Sequence, residues 1–232
     1  MTVYPDAARR FQHDVEQHAM TVLHDVGLYR HLRFQRPDRM EYWFDLVTWP
    51  GYLAITGDMG SFTFTRLRDM VEFFAGAGDI NPGYWAEKIQ AGKGDTEEYA
   101  PERFRALVHD AFGEHVADNS GTAGLDDLWQ AITSEVLPHA DERCRAYDAL
   151  SAFEHQGFTF ADAWEWHLDR WTYHYLWCCF AIRWGVQLYL GKPWAPPGDL
   201  TASAPAAPAS LPALAEANRS AVATVPALER YL

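Results

Sequence analysis

Side chains that could bind a nucleotide are concentrated in the first third of the chain. The segment YRHLRFQRPDR (residues 29–39) holds four arginines, and Trp43 and Trp49 follow it. Guanidinium groups bind phosphate and aromatic rings stack on bases, so these residue types suit a nucleotide. Alternation along a strand would place the arginines on both faces of a sheet. The pattern is therefore also typical of a solvated strand whose arginines pair with acidic residues.

Two carboxylates lie in the same region. Asp45 is flanked by Phe44 and Leu46, as in a strand, and Asp58 lies in the turn sequence GDMG. A carboxylate pair could perform acid–base chemistry or hold a cation, whereas Asp is also common in turns and on open sheet faces. With bases stacking on the aromatic rings and phosphate held by Arg33 or Arg66, the candidate ligand-binding residues are Arg33, Trp43, Asp45, Trp49, Asp58, Arg66, Tyr84 and Trp85.

The aromatic segment WTYHYLWCCFAIRWGVQLYL (residues 171–190) has four interpretations: a membrane span, a metal-binding helix, a ligand cage or a buried helix. Arg183 in its interior disfavours a membrane span. His174 and Cys178 are four residues apart and could share a zinc ion, but no second ligand pair follows at a recognisable spacing. The pattern favours a buried helix over residues 160–190, which begins at a capping box of Thr159 and Asp162. We predict no metal and no cofactor.

The hydrophobic periodicity predicts how these segments are positioned. A helix from Pro5 to Gly27 precedes a four-stranded antiparallel meander over residues 29–66, and helices follow over residues 66–75, 81–92, 101–118, 126–138 and 139–156. Asn81 and Asp126 are expected to cap two of them. The predicted fold class is α+β, with helices on one face of the sheet. We expect a single domain over residues 1–192 and a Pro/Ala-rich linker and short tail over residues 193–232.

The charge of the chain restricts its partners. There are 19 Lys and Arg against 32 Asp and Glu, a formal net charge of -13. This disfavours nonspecific binding to nucleic acid or to an anionic membrane, and it favours a basic protein or a small ligand in a local pocket. Three cysteines, two of them adjacent, do not suit a disulfide framework, and the first residues lack an apolar signal sequence. We therefore expect the protein in the cytoplasm.

Three segments carry a resemblance to known proteins: EYWFDLVTWPGYLAITGDMGSFTFTRLRDMVEFF, INPGYWAEKIQAGKG and YHYLWCCFAIRWGVQLY. Their order resembles a family of uncharacterised proteins encoded by bacteriophages and prophages, over residues 10 to 190. Because the family's biochemical function is unknown, the resemblance transfers no active site to this chain. The resemblance implies a small accessory protein in the host cytoplasm, and such proteins are often counter-defence factors.

These observations leave three hypotheses. The first is a non-enzymatic counter-defence protein that binds and blocks a host defence protein through an acidic, nucleic-acid-mimicking surface. The second is a pocket protein that sequesters or cleaves a small nucleotide signal. The third is a structural or interaction module without a ligand, for which a homo-oligomer is one expected form. The chain contains no catalytic motif, which favours a protein that is not an enzyme and leaves catalysis open.

Overall fold

The computed structural model describes residues 4–76, 79–119 and 124–192. The chain divides into two compact units, the first formed by Met1–Lys93 and Tyr173–Leu232 and the second by Gly94–Thr172. The domain expected over residues 1–192 thus comprises two units, and the linker and tail expected over residues 193–232 lie outside the described residues. The helices and strands of the described residues are, in chain order, α1 (Pro5–Val15), β1 (Ala19–Val26), β2 (Tyr29–Arg36), β3 (Arg39–Trp49), β4 (Tyr52–Gly57), β5 (Gly60–Thr65), α2 (Met70–Phe74), α3 (Pro82–Ala86), β6 (Ile89–Ala91), β7 (Glu97–Tyr99), α4 (Pro101–Asp118), α5 (Leu125–Glu135), α6 (Arg143–Ala152), β8 (Asp169–Trp171) and α7 (Tyr173–Tyr189).

The first unit is built on a six-stranded antiparallel sheet. Each strand lies beside its neighbour in sequence, in the order β1 to β6. One face, called the inner face, packs against α7: the Phe44 ring is 5.6 Å from the Trp177 ring, and the Phe34 ring is 5.5 Å from the Trp184 ring. Burial of this face removes a large apolar area from water and stabilises the unit. Its buried side chains are Leu32, Phe34, Phe44, Leu46, Leu53, Ile55, Phe62 and Phe64.

Helix α7 is the central helix of this core. It approaches the sheet closely at Gly185, where a Cβ atom would lie only 2.8 Å from Cδ1 of Leu46 and 2.9 Å from Cζ of Phe34. Nη1 of Arg183 donates a hydrogen bond of 2.7 Å to the carbonyl oxygen of Phe74, so this buried cation is engaged within the core. None of the described helices has both the length and the apolar character needed to cross a membrane.

The predicted α+β class is confirmed, but the predicted number of strands is wrong. The four expected strands correspond to β2–β5, and the sheet has β1 and β6 in addition. β1 occupies the second half of the helix predicted from Pro5 to Gly27, and β6 lies in the helix predicted over residues 81–92. Both are edge strands, and β1 is mostly exposed. Pairing with a neighbouring strand, which sequence periodicity does not report, therefore determines their conformation.

The helix predicted over residues 160–190 is wrong in its first half. α7 begins at Tyr173, and its 17 residues make it about 25 Å long. Asp162, predicted to help start the helix, has a left-handed conformation (φ 52°) and precedes the short 3-10 helix Ala163–Glu165. β8 then pairs with β7 in the second unit. The aromatic residues on the two sides of Tyr173 thus belong to different cores, a division that a continuous apolar pattern conceals.

The other helices lie where the sequence predicts them, and most of them differ from the prediction at their ends. α4 has the predicted bounds, and Asn81 caps α3 by accepting a 3.1 Å hydrogen bond from the amide of Tyr84. Asp126 does not cap α5, because the cap position is held by Gly124 with a φ of 99°. α2 and α6 are shorter than the helices predicted over residues 66–75 and 139–156.

The second unit is mainly helical and has its own core. α4, α5 and α6 contribute fully or almost fully buried residues such as Phe104, Ile132 and Leu150. The segment between α6 and β8 adds Phe158 and Phe160, whose rings are 5.1 Å apart. The pairing of β7 with β8 joins the two ends of the unit.

Candidate functional sites

The face of the sheet opposite to α7, called the outer face, carries a carboxylate that is almost completely covered. Asp45 lies in β3 directly opposite Arg33 of β2 and is 5% exposed. Nε and Nη2 of Arg33 donate hydrogen bonds of 2.8 Å to its two oxygens. Nε2 of His31 lies 2.9 Å from Oδ2, and because an ionised carboxylate only accepts hydrogen bonds, this nitrogen must be the donor. Three charge-assisted or polar hydrogen bonds thus converge on one carboxylate.

The electrostatics keep this carboxylate ionised. Burial by itself would raise the pKa of Asp45, but the hydrogen bonds from Arg33 and His31 lower it more, so that the net pKa is below its ordinary value. The hydrogen bond to Asp45 also raises the pKa of Arg33. The side chains of Arg33 and His31 are 33% and 37% exposed, so both still reach solvent. The carboxylate fixes the orientation of two polar groups at an accessible surface.

Further side chains of the outer face surround this centre. The guanidinium carbon of Arg33 lies 5.0 Å from the centroid of the Trp43 ring. His24 of β1 is the direct cross-strand partner of His31, so their side chains share the outer face. We call His24, His31, Arg33, Trp43 and Asp45 the outer-face cluster.

Five of the eight residues predicted to bind a ligand lie outside this cluster. Trp49 stacks on Tyr52 at the end of β3, with ring centroids 5.2 Å apart. Arg66 is exposed in the segment after β5. Asp58 accepts a 2.8 Å hydrogen bond from the amide of Tyr42, which has a φ of 58°, and therefore supports a strained backbone.

The two predicted aromatic ligands of α3 have structural neighbours of their own. Trp85 is 7% exposed and packs edge-on against Phe74 at 4.9 Å, so its ring belongs to the core. Tyr84 is exposed, and the ammonium of Lys88 lies 4.4 Å from the centroid of its ring. Of the predicted set, the structure brings together Arg33, Trp43 and Asp45.

His31 and His24 were not predicted from the sequence, although His31 lies within the arginine segment. Near the turn, Arg36 pairs with Arg39, and an unbroken ladder would place Arg33 opposite Tyr42. A register shift between Phe34 and Arg36 places Arg33 opposite Asp45 instead. The signal that could have found His31 is its two-residue spacing from Arg33, which puts both on one face of β2.

The two adjacent cysteines of α7 are buried in the core. Cys178 lies in the core, with its Sγ 3.6 Å from the carbonyl oxygen of Met59. His174, which would share the ion with Cys178 in the zinc interpretation of this segment, is exposed. Burial raises the pKa of the Cys178 and Cys179 thiols. Within the described residues, no group of three or more His, Cys, Asp or Glu side chains could hold a metal ion.

The net charge of the protein is distributed unequally between the units. Gly94–Thr172 contains 17 Asp and Glu against 5 Lys and Arg, which gives the second unit a formal charge of -12. The segments of the first unit up to residue 192 contain 12 acidic and 12 basic residues and are therefore neutral. The acidic surface expected from the composition is thus a property of the second unit.

The five arginines of the second unit are already engaged within it. Four form ion pairs, such as Arg105 with Asp141 at 2.7 Å and Arg170 with Glu98 at 2.9 Å, and Arg103 donates to the carbonyl oxygen of Asp169. Eleven exposed acidic side chains have no ion-pair partner among the described residues: Asp95, Asp110, Glu114, Asp118, Asp126, Asp127, Glu135, Asp148, Glu154, Asp162 and Glu165.

Three of these acids form a stripe on α4. Asp110, Glu114 and Asp118 follow one another at intervals of four residues, which places them on one side of the helix. Like charges at this spacing destabilise a helix by about 0.2–0.5 kcal/mol per pair. The stripe therefore does not help the helix to form.

Comparison with known proteins found no matching family model, no matching curated protein and no matching solved structure. The resemblance to bacteriophage and prophage proteins stays a prediction.

Proposed function

We propose that this protein is a non-enzymatic accessory protein of the phage counter-defence type, which binds and blocks a basic host target through its second unit. The observation that supports the proposal is the concentration of a formal charge of -12 in Gly94–Thr172, whereas the segments of the first unit up to residue 192 carry no net charge. A concentrated acidic surface attracts proteins that bind nucleic acid phosphates, and it raises the rate of association with them. Binding of this surface would exclude the nucleic acid from the target.

The unpaired carboxylates make this surface available to a partner. Since the arginines of the second unit are used internally, a target would supply the positive charge that Asp110, Glu114 and Asp118 lack. Ion pairs with a partner would also relieve the repulsion along α4. An advantage in binding thus accounts for a pattern that is unfavourable for folding.

The test is competition with a fluorescent DNA duplex for a panel of host DNA-binding nucleases. We expect displacement of the duplex, and we expect binding to weaken steeply between about 50 and about 500 mM NaCl because the charges are exposed. The variant D110N/E114Q/D118N should bind more weakly, whereas the matched variant E16Q/D38N/E41Q, with the same change of charge in the first unit, should not. Binding that is insensitive to salt, or an equal effect of both variants, would contradict the proposal.

A second candidate function is the sequestration or cleavage of a small nucleotide. It is favoured by the position of Trp43 against the guanidinium of Arg33 on the outer face. A thermal-shift panel of nucleotides tests it, since a ligand at 100 times its Kd adds about 2.7 kcal/mol of stability. Recovery of intact ligand after heating indicates sequestration, recovery of a product indicates cleavage, and a panel without shifts contradicts this function.

A further inference from the structure

We propose that the outer-face cluster is a binding site for a phosphate monoester, such as the phosphate of a nucleoside monophosphate. The inference rests on the second candidate function and assigns its phosphate contacts to Arg33, His31 and His24. Two of these residues carry groups that Asp45 orients and that still reach solvent.

The guanidinium of Arg33 uses only one of its two edges. Nε and Nη2 bind Asp45 side-on, and Nη1 has no hydrogen-bond partner among the described residues. A guanidinium has five N–H donors in a planar fork, so the end formed by Nη1 and the second hydrogen of Nη2 remains able to bind an oxyanion in bidentate fashion. The carboxylate of Asp45 holds this fork in place, which reduces the side-chain entropy that binding would cost.

The imidazoles provide further polar groups at the site. His31 uses Nε2 for Asp45, and its Nδ1 has no partner in the part of the chain that the structure describes. His24 lies opposite His31 on the neighbouring strand and is exposed.

Trp43 completes the site with an aromatic surface. Its ring lies beside the phosphate-binding fork, at 5.0 Å from the guanidinium carbon of Arg33. Stacking on a tryptophan tolerates any base, so the cluster predicts preference for the phosphate group rather than for one base.

Strain in the neighbouring backbone is consistent with a functional surface. Tyr42, directly before Trp43, has a φ of 58°, and its peptide groups are held by Asp58, which accepts from its amide at 2.8 Å, and by His18, whose Nε2 donates to its carbonyl at 3.0 Å. Such a conformation persists only where its surroundings impose it, and it is found disproportionately at binding sites. Here it accompanies the register shift that brings Arg33 opposite Asp45.

The experiment is a calorimetric titration of the full chain with AMP, adenosine and inorganic phosphate. We expect AMP to bind about tenfold or more tightly than adenosine, because charge-assisted hydrogen bonds to phosphate add to the stacking. R33K keeps a positive charge for Asp45 and loses the second edge, and H31Q keeps one donor and loses the second ring nitrogen. Both variants should reduce the affinity for AMP to that for adenosine, and W43A should weaken both ligands.

Two matched variants, R39K and H13Q, change exposed residues of the same types and should leave the affinity for AMP unchanged. H24Q changes an exposed side chain without a described partner, so it tests the site even if a variant of Arg33 or His31 fails to fold; it should weaken AMP severalfold and leave adenosine unchanged. Equal wild-type affinities for AMP and adenosine, or unchanged AMP binding by R33K, H31Q and H24Q, would overturn the proposal while the second candidate function remains. Absence of binding by all three ligands would also overturn the proposal, and a nucleotide panel without thermal shifts would overturn the second candidate function as well.

Discussion

Arg33 and Asp45 form a bidentate ion pair on the solvent side of a sheet, with two hydrogen bonds of 2.8 Å, and the carboxylate is nevertheless only 5% exposed. The pair joins β2 to β3 outside the apolar core. An ion pair of this kind is costly to break on one side only, because the remaining charge loses its partner.

Removal of Arg33 alone should therefore destabilise the protein. We expect R33M to reduce the free energy of unfolding by about 1–3 kcal/mol, and R33M/D45L to be less destabilised than the sum of the single variants. Urea denaturation measures both quantities. R39M is the control, since Arg39 and Glu41 are exposed and 3.8 Å apart, and it should change stability by less than about 1 kcal/mol. Additive effects of R33M and D45L would show that the pair is not coupled.

Substitution of two glycines should have opposite effects. G185A places a Cβ atom within 2.9 Å of Phe34 and Leu46 and should cost about 1–3 kcal/mol, because both side chains are buried in the core and would have to repack. G113A adds a Cβ atom in open space within α4 and should stabilise by about 0.5–1 kcal/mol. Thermal unfolding of the two variants provides the comparison. A stabilising G185A would mean that α7 does not contact the sheet as described.

His18 should make stability depend on pH. Burial lowers the pKa of His18 from its ordinary 6.5, and the hydrogen bond to Tyr42 only partly opposes this shift. Below about pH 6.5 the unfolded chain therefore binds a proton at this residue more readily than the folded protein does, so the free energy of unfolding falls as the pH decreases. H18Q should flatten this decrease, whereas H13Q, at an exposed position, should not. Urea denaturation between about pH 7 and about pH 5 measures this dependence. If the free energy of unfolding fell equally in H18Q and in the wild-type protein, the prediction would be contradicted.

The three cysteines should differ in reactivity. Cys144 is exposed, whereas Cys178 and Cys179 are buried and have raised pKa values that suppress the reactive thiolate. A thiol reagent should label one cysteine in the native protein and three after denaturation. C144S should abolish the native reaction, and persistent labelling of that variant would show that the core opens readily.

The sequence predicted the elements whose apolar pattern matches their own burial. β2–β5 alternate between the core and solvent, and α4 begins at a proline and has its predicted bounds. β1 and β6 were missed because they are short or mostly exposed edge strands, for which pairing matters more than pattern. The first half of the long predicted helix was wrong because one apolar run, divided at Tyr173, serves two separate cores.

The candidate site was predictable in its residue types and unpredictable in its register. Arg33, Trp43 and Asp45 were identified as ligand-binding candidates, and they do lie together. Arg33 lies opposite Asp45 only because an irregularity shifts the pairing of β2 with β3, and His24 lies opposite His31 beyond another irregularity in β1. Trp85 was a poor candidate because an aromatic residue in a short helix serves the core as readily as a ligand. The unequal distribution of charge between the two units could not be predicted, because it becomes visible only when the unit boundaries are known and the composition does not mark them.

The chain order of the two units has a consequence during synthesis. Gly94–Thr172 separates the sheet from α7, the helix that covers its inner face. On the ribosome, the strands of the sheet therefore emerge well before their covering helix is translated. During that interval the apolar inner face lacks its main partner and is exposed to aggregation. The highly charged segment made in between is well suited to keep the growing polypeptide in solution until Tyr173–Tyr189 arrives.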